Sequence, residues 1–90
     1  MSKDITGGIL LRAGFKESVQ GFIKINDNEI ITVAEVWRCK PFPNTYREWQ
    51  VSVFDFRYGQ ITDTDIQTIN HFNMLMELMD IDFRLKEEEL

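Results

Sequence analysis

The only histidine in this 90-residue chain, His71, stands between Asn70 and Phe72 in a stretch whose apolar spacing predicts a helix. Acid–base catalysis would need a second polar group held beside it. On a helix its neighbours are Gln67, Thr68, Met74 and Leu75, and none is an obvious partner. His71 therefore reads as a surface or boundary residue, unless the fold brings a partner from elsewhere. Asp63, Asp65, Asp80 and Asp82 invite a cation, but a calcium loop places oxygen ligands at regular offsets around a glycine, and neither pair has that context. The first pair reads as the cap and acidic first turn of a helix, and the second as its close. Gly7-Gly8 could cradle an anion on free N–H groups, yet no P-loop lysine or dinucleotide-binding spacing follows. Cys39 is the single cysteine and has no partner for a disulfide or a metal-binding pair. It reads as an ordinary thiol at a strand end. No catalytic residues, cofactor motif or metal ligands emerge, and the chain is expected to act by binding. An enzyme reading would need a site assembled across a dimer.

Binding chemistry is better represented. Trp37, Phe42, Tyr46, Trp49, Phe54, Phe56 and Tyr58 are interleaved with Arg38, Lys40, Arg47 and Arg57. Aromatic and basic sheet faces stack single-stranded bases, and the same residue types are enriched at protein interfaces. In so short a chain most strand aromatics are expected to build the core. Phe42 and Tyr46, with Arg47, fall in a proline-containing loop and are the better contact candidates. Met74, Met76 and Met79 read as a helix's core face or as an adaptable docking stripe. Surplus apolar surface on that helix would suit a homodimer.

These residues must be positioned by a few elements. Residues 6 to 13 predict a short helix, capped by Thr6 or a glycine and stopped by Gly14. Residues 19 to 25 alternate as a strand, Asn26-Asp27-Asn28 turn the chain, and residues 29 to 38 are rich in β-branched strand formers. Residues 39 to 48, with both prolines, predict a loop. In the strand expected over residues 49 to 58, Trp49, Val51 and Val53 point one way and Phe54, Phe56 and Tyr58 the other. That pattern predicts either a bulge near Val53 or a strand covered on both faces. A helix is expected from about residue 63 to 80, with Ile66, Ile69, Phe72, Met76 and Met79 on one stripe. The fold expected is α+β in a single domain spanning residues 1–90: a short N-terminal helix, a three- or four-stranded antiparallel sheet, and a long C-terminal helix on one sheet face.

Charge is unevenly distributed. The net charge is −5, yet residues 38–58 hold four cations against two carboxylates, whereas residues 59–90 hold two cations against eight carboxylates. An acidic end disfavours direct binding to a phosphate backbone and complements a basic protein groove. Glu77, Asp80 and Asp82 are the partner-binding candidates in that end. The lone cysteine, the lack of an apolar leader and the absence of a long apolar run point to a cytoplasm and away from a membrane.

Leu10-Leu11-Arg12-Ala13-Gly14-Phe15, Trp49-Gln50-Val51-Ser52-Val53 running to Tyr58-Gly59, and the closing helix Ile66 to Leu78 give the chain a layout that resembles small uncharacterised proteins encoded by phages and mobile elements of Bacteroidetes-type bacteria. The chain departs from that pattern in its longer proline-rich loop and its acidic end. The resemblance implies a mobile-element gene product that antagonises host defence, as anti-CRISPR proteins do, and a CRISPR effector nuclease as its protein partner. The competing reading is a nucleic-acid-binding module using Trp37, Arg38, Arg47, Trp49 and Arg57. No cofactor is expected in either case.

Overall fold

The computed structural model describes residues 3–19, 21–39 and 45–86. The chain runs α1 (Gly7–Arg12), β1 (Lys16–Ser18), β2 (Gly21–Ile25), β3 (Glu29–Cys39), β4 (Thr45–Asp55), β5 (Gly59–Ile66) and α2 (Ile69–Leu78). The strands form one antiparallel five-stranded meander in the order β1-β2-β3-β4-β5. The architecture is α+β, as expected, with more strands and a shorter second helix than the sequence pattern suggests.

Both helices stop by the same device. At the end of α1 the Phe15 N–H donates to the Leu10 carbonyl and the Gly14 N–H to that of Leu11. This doubly bonded exit needs a left-handed residue, and Gly14 supplies it at φ 103°. At the end of α2 the Ile81 and Asp80 N–H groups donate to Met76 and Glu77. Here the left-handed position is filled by Asp80, at φ 60°. Each helix starts on a threonine: the Thr6 hydroxyl accepts from the Ile9 N–H and the Thr68 hydroxyl from the His71 N–H.

Two segments expected elsewhere are strand. Thr62 to Asp65 lie inside β5 rather than capping a helix, and the true cap is Thr68. The cause is visible in the residues: Thr62, Thr64 and Ile66 alternate with Asp63 and Asp65, and threonine and isoleucine favour a pleated, half-buried surface. Cys39 and residues 45–48 belong to strands, because Val36, Trp37 and Arg38 stand opposite Glu48, Arg47 and Tyr46. β1 is a further strand of three exposed residues.

Alternation gives the sheet two different faces. One face packs Ile31, Val33, Trp49, Val51, Val53 and Ile66 against Ile9 and Leu10 of α1, against Ile69, Phe72 and Met76 of α2, and against Ile5, Phe15, Ile81 and Leu85. The Trp49 indole N–H is satisfied by the Ile5 carbonyl at 3.0 Å. Ile5 is itself held because its N–H donates to the Gln67 carbonyl, while the Ile69 N–H donates to that of Lys3. Gly21 is required where β2 presses on β3: its φ is 134°, and a Cβ there would stand 2.6 Å from the Val33 carbonyl oxygen. No described helix is long and apolar enough to cross a membrane.

Candidate functional site

Among the described residues the second face of the sheet carries no helix, and the strand register orders its residues into rows. At the turn end, Ile25, Ile30, Phe54 and Gln60 stand side by side. The next row is Lys16, Ile23, Thr32, Ser52 and Asp63. Ala34, Gln50 and Asp65 follow, and then Val36 with Glu48. None of these side chains is buried. The surface grades from an apolar row, through hydroxyl and amide groups, to carboxylates along its β5 edge.

The apolar end is built on a rigid turn. Phe54 and Phe56, two residues apart on the same side, meet edge to face with centroids 6.4 Å apart, and they are 44% and 54% exposed. Between them Asp55 points to the helix side and is 2% exposed, the only buried charged side chain among the described residues. Its carboxylate accepts from the Arg57 N–H at 2.7 Å, from Arg57 Nε at 3.1 Å and from the Arg57 guanidinium again at 2.9 Å. Those Arg57 side-chain bonds outweigh the opposing effect of burial and, with the Arg57 backbone N–H, hold the Asp55 carboxyl at about 2, below its ordinary 3.8. The guanidinium also lies 5.1 Å from the centre of the Tyr58 ring. The Phe56 N–H donates to the Asn28 carbonyl at 2.9 Å, tying this turn to the Asn26–Asn28 turn.

Strand β4 alternates without switching faces, so Phe54 and Phe56 are displayed on the side away from the two described helices. A register shift does occur beside Val53 and Phe54. It sits in β5, where Ile61 is the extra residue, because Thr62 faces Val53 and Gln60 faces Phe54.

The residues singled out in the sequence fall into separate places. Glu77, Asp80 and Asp82 are exposed around the exit of α2. Asp63 and Asp65 are on the open sheet face, so the described carboxylates of the acidic third are divided between two surfaces. Tyr46 is half-buried at the start of β4, and Phe42 lies outside the described residues. Arg47 faces the helix side, paired with Glu35 at 3.1 Å and 5.3 Å from the Trp49 ring centre. Trp49 is core and Arg57 is clamped by Asp55, whereas Trp37 is exposed. Met76 is sealed in the core while Met74 faces out. His71 is exposed. Among the described residues no group of three or more His, Cys, Asp or Glu is placed to hold a metal ion. The Asp55–Arg57 clamp escapes sequence reading, although an acid two residues before an arginine at a strand end is its signal.

No family model, no curated protein and no solved structure matches this chain.

Proposed function

We propose that this chain is a non-catalytic binding protein whose target is another protein, and that an RNA-guided nuclease of a bacterial host is the first target to examine. The observation that carries the binding reading is the uncovered sheet face, which combines a rigidly mounted apolar row with an acidic edge. Apolar centres rimmed by charge are how specific protein interfaces are commonly built. The nuclease reading comes from the resemblance to mobile-element proteins and from charge: a channel that holds guide and target is basic, and an acidic surface complements it. Of the two acidic surfaces, the one made by Glu77, Asp80 and Asp82 at the exit of α2 also fits such a channel.

The test is target cleavage by purified RNA-guided nucleases in the presence of this protein. Inhibition that saturates near one copy per nuclease is the expected outcome. Undiminished cleavage across the relevant nuclease classes discards the nuclease as target. Charge reversal at Glu77, Asp80 and Asp82, compared with reversal at Asp63 and Asp65, assigns any inhibition to one acidic surface.

A further inference from the structure

Beyond the reading of the chain as a target-binding protein, we propose that its open sheet face is covered by a second copy of itself, in a face-to-face dimer whose two-fold axis runs nearly along β3. Three observations lead there. First, the face is apolar where it is most exposed: Ile25 is 68% exposed, and Phe54 and Phe56 are about half exposed. An axis along β3 lays β2 of one copy over β4 of the other. Ile25 then packs on Phe54 at two equivalent places, and Ile30 meets its own counterpart between them.

Second, the face carries both signs of charge. Glu48 and Asp65 already interact within the chain, and Arg38 occupies an open-face position opposite Tyr46. Lys16 and Asp63 are exposed and form no ion pair among the described residues. They stand at the two ends of one row, Lys16 on β1 and Asp63 on β5. Four strand spacings of about 4.8 Å separate them by roughly 19 Å, about twice the screening length in physiological salt. They cannot pair within one copy. The axis along β3 lays β1 over β5, so each Lys16 comes to the other copy's Asp63. Third, the area reaches what a dimer needs. Strands of 3, 5, 11, 11 and 8 residues, at roughly 16 Å² of flat sheet per residue, offer about 600 Å² per copy. Two copies at full overlap bury about 1,200 Å², the lower bound for specific interfaces, so a dimer that dissociates on dilution is expected.

The charges also choose the arrangement. A two-fold across the strands sets β1 on β1 and β5 on β5, and like charges meet when it is centred on their row. A nucleic acid, or a segment of one sign, satisfies one of Lys16 and Asp63 and leaves the other; a second copy matches both. Packed sheets cross by about 30°, so the two Arg38 positions, at the far end of β3, splay apart by roughly 10 Å and do not oppose one another. A dimer made this way displays the α2 exit, with Glu77, Asp80 and Asp82, twice, and a target of the open face must displace the second copy.

Sedimentation of the full chain over a dilution series, with backbone amide shifts followed over the same series, tests this. The unmodified protein is expected to pass from dimer to monomer on dilution, with shifts at Ile25, Ile30, Ser52 and Phe54 and none at the exit of α2. Lys16→Asp and Asp63→Lys each turn attraction into repulsion at two contacts, and each is expected to weaken the dimer about tenfold or more. Mixed together, the two variants restore both contacts, and the mixed dimer is expected within about threefold of the unmodified one. Phe54→Ser is expected to remove the dimer at the same concentrations, whereas Leu78→Ser, at an exposed apolar position of α2, leaves it unchanged. If a charge variant does not give a folded spectrum, the dilution shifts of the unmodified chain decide. A monomer at every concentration, a mixture no tighter than its parents, dilution shifts confined to α2, or a dimer lost with Leu78→Ser and kept with Phe54→Ser would overturn the proposal. The dimer is read without any nuclease, so its failure leaves the target reading standing, and the reverse.

Discussion

The two faces of the sheet are made by the same strands yet have opposite physical tasks. On the helix side Ile31, Val33, Val51 and Val53 are fully buried. On the other side Ile30, Thr32, Ser52 and Phe54 alternate with them and are half-buried or exposed. Because side chains along a strand point alternately to each side, one set of positions secures the fold and the other is free to be shaped by a partner. The division is not one of apolar against polar, since Ile25, Phe54 and Phe56 remain in water. An antiparallel sheet commonly leaves one face solvated, but a clustered apolar row on that face carries a cost that binding would offset.

Substitutions can break this contrast or sharpen it. Phe72→Ala, under the covered face, is expected to lower stability by about 3–5 kcal/mol, while Phe54→Ala on the open face changes it by less than about 1 kcal/mol; urea unfolding of the two variants measures both. Equal losses would mean that the open face is also part of the folding core. Gly21→Ala should cost more than about 1 kcal/mol, because the residue combines positive φ with a carbonyl where its methyl would go.

A third change acts through pH. Asp55 has its folded value lowered from 3.8 to about 2, so it stabilises the protein above the higher value and loses that contribution as pH falls toward the lower. Asp55→Asn should flatten this part of the acid-unfolding curve, and a curve of unchanged slope would remove the clamp from the account of the turn. The smallest expected effect is at the exit of α2. Asp80→Gly should raise stability by about 0.5 kcal/mol, since aspartate is strained at positive φ and its charge opposes the helix dipole; thermal unfolding would detect it.

Much of the scaffold is legible in the residues because the signals are local. Gly14 announces the end of α1, and Asn26–Asn28 announces the first long hairpin, where the Asn26 N–H donates to the Glu29 carbonyl at 2.8 Å. β5 is misleading because threonine and aspartate serve equally as helix caps and as strand residues, and only pairing with β4 decides between them. β1 is too short and too exposed to leave a pattern. For the candidate site, the opposed sets Trp49–Val51–Val53 and Phe54–Phe56 are visible in the sequence. Which set the helices cover is a tertiary fact, and so is the placement of Asp63 and Asp65 beside the exposed one.

The N-terminal segment has a consequence for the order of assembly. Every strand pairs with the one made just before it, so the meander can zip up during synthesis with only short loops to close. Ile5 cannot join then, because its N–H waits for Gln67 and its carbonyl for Trp49. The segment before α1 is therefore among the last to lock, and the Trp49 indole stays without its acceptor until it does. With Trp37 replaced by Phe, so that Trp49 is the single tryptophan, time-resolved refolding would show this as a late change in fluorescence, after the sheet itself has formed.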